Sequence, residues 1–122
     1  MRFCFLVRDV AAQKSGYGTI HLAWAAHRRG HEVRFVSVND LSFLDDNNVL
    51  ATTVRVRAGD YATPEDYHRA LVSPDAVTDV EAASAFDVVL VRHNPHVEGA
   101  GRSPILDLTW RLKLMGTLVV ND

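Results

Sequence analysis

The chain has 122 residues, 48% of them hydrophobic and 23% charged, the composition of one globular domain, with no room for a long disordered tail. Thirteen Lys and Arg against fifteen Asp and Glu leave a formal net charge of −2, so no global field draws the protein to nucleic acid or to an anionic membrane. Full protonation of the six histidines would bring the charge to +4, so only mild acid reverses its sign.

In chain order, the first signal is the apolar run Phe3 to Val7, which has no period-two alternation and therefore predicts a strand covered on both faces, as in parallel sheets. Cys4, the only cysteine, lies inside this run and is expected to act as a small buried hydrophobe. A lone cysteine excludes an internal disulfide and suits a reducing compartment. Arg8 and Asp9 end the run too early for a signal peptide. No stretch approaches the ~18 apolar residues of a membrane span, so a soluble, cytoplasmic protein is expected.

A helix is predicted from about Gly18 to Arg29, stopped by Gly30. At 100° per residue, Ile20, Ala23, Trp24, Ala26 and His27 share one face, whose small alanines permit close approach to a sheet. Val33 to Val38, interrupted by Arg34 and Ser37, predicts the next strand. After the turn-rich Asp45 to Asn48, Val49 to Ala51 and Thr53 to Arg57 predict a one-faced hairpin or edge strand. Thr63-Pro64-Glu65-Asp66 resembles a helix start leading into Tyr67 to Leu71. Val88 to Val91 predicts a further strand, a helix should run from Ser103 and Pro104 to Gly116, and Leu118 to Val120 predicts the last strand. The expected fold is α/β: a three-layer, Rossmann-like, mostly parallel sheet with a hairpin or edge-strand insertion, in one domain over residues 1–122.

In an open parallel sheet, ligands bind outside the carboxyl ends of the strands. The residues there are Arg8 and Asp9, Asn39 and Asp40, Arg92 to Asn94, and Asn121 with Asp122. Polar strand ends also occur simply because strands emerge into water. Arg92 stands out because a guanidinium grips carboxylate or phosphate in two-pronged geometry. Ser15-Gly16-Tyr17-Gly18-Thr19 precedes the first helix, where free amides can hold an anion, although a plain flexible loop explains the glycines equally well. It fails as a dinucleotide fingerprint, since His21 occupies the third glycine position, and there is no Gly-Lys-Ser or Gly-Lys-Thr motif. His93 and His96 flank Asn94-Pro95 without the further ligands a metal site needs. No nucleophile elbow, catalytic carboxylate pair or EF-hand loop is present, so no catalytic residues are assigned.

The last predicted helix is apolar on two sides, with Ile105, Leu108, Leu112 and Met115 in one arc and Leu106, Trp110 and Leu114 roughly opposite. One side should face the sheet and the other a second domain or subunit, which makes a homo-oligomer through Leu106, Trp110 and Leu114 an expected possibility. A sequence stopping at Asn121-Asp122, right after a buried strand, is expected to be a piece of a longer enzyme.

These segments resemble, in order, the N-terminal domain of bacterial glutathione synthetase and its ATP-grasp relatives. The likeness is carried by Phe5-Leu6-Val7-Arg8-Asp9, Ala26-His27-Arg28-Arg29-Gly30-His31-Glu32-Val33 and Asn39-Asp40-Leu41. Further along it is carried by Asp87 to Pro95, with its Val91-Arg92-x-x-Pro95 ending, and by Gly116 to Asn121. The resemblance implies a pre-ATP-grasp domain that helps to bind a small carboxylate or peptide substrate for an ATP-dependent carboxylate–amine ligase. It implies no cofactor and no catalysis in this chain alone. ATP and magnesium would be held by C-terminal ATP-grasp domains. Arg92 and Asn94 match the family's strand-end positions, and Thr19 matches a hydroxyl near the first helix start; with Asp9 these are the expected substrate-binding residues. Gly16-Tyr17-Gly18 departs from the family's more polar loop, which questions glutathione precursors as the substrate. The acceptor domain of a two-domain glycosyltransferase and a freestanding binding or dimerisation module are the alternatives.

Overall fold

A computed structural model of the protein describes residues 1–44, 48–92 and 104–121. Six strands form one sheet: β1 (Arg2–Val7), β2 (Glu32–Phe43), β3 (Val49–Arg55), β4 (Val77–Ala82), β5 (Val88–Val91) and β6 (Leu118–Asn121), in the order β4-β3-β2-β1-β5-β6. The helices among the described residues are α1 (Gly18–Arg28), α2 (Pro64–Leu71) and α3 (Pro104–Leu114). β1 pairs in parallel with both β2 and β5, and β6 continues the parallel set beside β5. β3 runs antiparallel to β2, and β4 antiparallel to β3.

The alternation of β1 sorts the core into two layers. Cys4 and Leu6 join Val36, Val89 and Val91 beneath Leu108 and Leu112 of α3. Phe5 and Val7 join Val33 and Phe35 beneath Ile20 and Ala23 of α1 and Tyr67 and Leu71 of α2. The expected three-layer Rossmann-like fold is therefore present, with α1 and α2 on one face and α3 on the other. Phe5 and Phe35 stack across the β1–β2 ladder with ring centroids 5.3 Å apart. Each such fully buried side chain stabilises the fold by about 1.5–3 kcal/mol. Cys4 is buried as expected, and burial pushes its thiol up to about 12. Local signals place the helix ends: Thr63 Oγ1 accepts from Asp66 N at 3.1 Å, and Gly30 and Gly116, both at φ 85°, turn the chain after α1 and after α3.

The middle of the chain departs from the expectation. β2 continues to Phe43, and its pairing with β3 shifts between Val36 and Leu41, so Asn39 and Asp40 sit in an irregular stretch of the strand rather than beyond its end. The segments 49–51 and 53–57 belong largely to the single strand β3, which is interior because β4 covers it. β4 escapes sequence reading because its Thr78, Asp79 and Glu81 carry charge and polarity onto a sheet edge. Met115, expected in the buried arc of α3, lies just past the last helical residue and is exposed. Leu108 and Leu112 are buried, while Trp110 and Leu114 are exposed; the side chain of Leu106 lies outside the described part of the molecule.

The β4 edge is tied inward by an ionic network. Glu81 accepts from Thr53 Oγ1 at 2.6 Å and from Arg34 Nε at 3.1 Å, and it also pairs with Arg2, which holds Glu32 at 2.7 Å. Burial alone would raise the Glu81 carboxyl, but the hydrogen bonds from Thr53 and Arg2 and the charges of Arg34 and Arg2 outweigh it and hold the group below its ordinary 4.5. A depressed folded-state value stabilises the protein above the ordinary carboxylate range, and that stability is lost as pH falls through the folded value. Glu81→Gln should therefore lower stability by about 1–3 kcal/mol at neutral pH. In urea denaturation series the deficit should shrink below pH 4.5, and a pH-independent deficit would remove the charge from the explanation.

Candidate functional site

The chain leaves β1 toward α1 on one face of the sheet and leaves β5 toward α3 on the other. In an open parallel sheet covered this way, the ligand crevice is expected between the carboxyl ends of β1 and β5. The register makes the strand ends neighbours: Leu6 lies beside Val91, and Val91 beside Asn121. Arg92 N donates to Leu6 O at 2.8 Å, extending the β1–β5 ladder by one bond and fixing where the Arg92 side chain starts.

From there Arg92 reaches the beginning of α1. Its Nε donates to Thr19 Oγ1 at 3.1 Å, and the open side of Gly18 lies close enough that a β-carbon there would stand 3.5 Å from Nη2. Thr19 is almost fully buried, so its hydroxyl is a fixed acceptor. Tyr17, at the cap position, makes no side-chain bond to the helix start. The first amides of α1 and a guanidinium oriented through Nε thus face the same crevice, an arrangement suited to a carboxylate or phosphate group.

Of the four residues expected to bind substrate, Arg92 and Thr19 meet directly. Asp9 stands on the same rim, but its carboxylate accepts from Ala11 N at 3.1 Å and caps a short 3-10 turn, Val10–Ala12. Asn94 lies outside the described residues, as do His93 and His96. Sequence reading missed Ser37, whose Oγ accepts from Val10 N at 2.9 Å and fastens the turn after β1 to β2. Its signal is a small hydroxyl residue interrupting an apolar run near its carboxyl end. His68, without a visible partner in sequence, donates from Nε2 to Gln13 O at 2.6 Å and ties the loop before α1 to α2. Among the described residues no group of three or more His, Cys, Asp or Glu could hold a metal ion. No helix among them is long and apolar enough to cross a membrane.

A family model for the prokaryotic glutathione synthetase N-terminal domain matches residues 1–122. The chain belongs to this family. No curated protein matches it. Within the glutathione synthetase N-terminal domain, the Arg92–Thr19 contact is the element that joins the two diverging connections of the sheet. Thr19→Val should leave Arg92 Nε without its acceptor and cost about 1 kcal/mol. Thr19→Ser should restore most of that in urea denaturation, and equal losses in both variants would show that methyl packing, not the hydroxyl, matters there.

Proposed function

We propose that this domain binds the carboxylate of a small acid or peptide for an ATP-dependent carboxylate–amine ligase. The observation that carries the reading is the Arg92–Thr19 hydrogen bond at the divergence of β1 and β5. Arg92 clamps the anion, Thr19 orients the guanidinium, and the α1 amides share the negative charge. Asp9 shapes the rim through its turn, and Asn94 follows Arg92 in sequence as a further polar contact. ATP and magnesium belong to other domains of the enzyme, which activate the carboxylate this domain presents.

A second part of the proposal concerns the face away from the core. Trp110 and Leu114 are 62% and 65% exposed on α3, while Leu118, 59% exposed on the edge strand β6, lies on the other face of the sheet with its register neighbours Val88 and Phe3. Trp110 and Leu114, four residues apart on one side of the helix, form an exposed apolar surface that wants cover. We assign it to a neighbouring domain or a second subunit.

In an enzyme containing this domain, Arg92→Ala should raise KM for the carboxylate substrate by about 10-fold or more, with KM for ATP little changed. Unchanged kinetics would remove Arg92 from the site. Trp110→Glu with Leu114→Glu should shift the sedimentation of a self-associating chain to that of the monomer while leaving its circular dichroism intact; no shift would remove the patch from any contact between subunits.

A further inference from the structure

At the far end of the sheet from this crevice, the loop after β3 borders a groove of about 440 Å³ along the outer side of α2. β3 is antiparallel to β2, so Arg57 emerges at the amino ends of the parallel strands, opposite Arg92. The loop is fastened by three bonds. Tyr61 Oη donates to Arg57 O at 2.8 Å, Trp24 Nε1 to Tyr61 O at 2.7 Å, and His27 Nε2 to Gly59 O at 2.8 Å. Gly59, at φ 150°, supplies the backbone conformation this turn needs.

The charges on the groove are uneven in a useful way. Arg69 is paired with Asp66 at 3.3 Å. Arg57 and Asp75 both line the groove, and among the described residues neither side chain has an ion-pair or hydrogen-bond partner. The wall between includes Ala70 and the Tyr61 ring, and that ring is held edge-on to Tyr67 with centroids 5.8 Å apart. A rigid loop presenting one uncompensated cation, in a groove with one uncompensated anion and an apolar wall, complements a ligand carrying both charges.

We propose that this groove binds a small zwitterion, its carboxylate on Arg57 and its ammonium group on Asp75, independently of the Arg92 crevice. Two-dimensional amide NMR of the chain, titrated with dialanine, with N-acetyl-dialanine and with dialanine amide, tests it. Dialanine should shift the amides of Arg57, Tyr61, Ala70 and Asp75 saturably at millimolar concentration. Each singly charged analogue should bind about fivefold more weakly or less, and Arg57→Gln and Asp75→Asn should each weaken dialanine by a similar factor. Arg92→Ala should leave the binding unchanged, which separates this site from the crevice. Absence of saturable shifts, equal binding of the three probes, or indifference to both groove variants would overturn the proposal.

Discussion

The burial of β1 on both faces is the constraint from which the rest follows. With β2 on one side and β5 on the other, all in parallel, every return of the chain must cross over a face of the sheet. α1 and α3 take opposite faces, and the two connections part at the carboxyl ends of β1 and β5. The crevice is thus a consequence of packing, and it lies where backbone amides and strand-end side chains converge without displacing any core residue.

Arg92 shows how that geometry becomes chemistry. Its backbone is pinned by Leu6 and its Nε by Thr19, so the strand holds the main chain and the helix the side chain. A guanidinium held in this way has little freedom left to lose, which suits the anion-binding role proposed for it. The loops around it are fastened by similar single bonds: Ser37 to Val10 after β1, and His68 to Gln13 before α1. In the glutathione synthetase N-terminal domain the loops around the carboxyl ends of the strands are thereby tied to the sheet and its helices.

The antiparallel β3–β4 extension has a different basis. Its outer edge carries Asp79 and Glu81, and the Arg2–Glu81–Arg34 network draws one of those charges inward. Charge blunts that edge, whereas Leu118 on the β6 edge, and Trp110 and Leu114 on α3, stay exposed. The two ends of one sheet therefore differ in what they can join.

Local pattern alone determined the parallel strands and the helices that cross between them. The unbroken apolar runs of β1, β5 and β6, the Thr63 cap and the stops at Gly30 and Gly116 carry their own signals, because each depends on residues a few positions apart. Arg92 and Thr19 were legible as separate candidates for the same reason. That they touch, while Asp9 turns to its own loop, was decided by the register of β5 against β1 and the docking of α1, contacts that span 73 residues. β4 and the length of β2 also awaited tertiary structure. An irregular strand and a charged edge gain their β conformation from a neighbour's hydrogen bonds, and no periodicity in the chain records that neighbour.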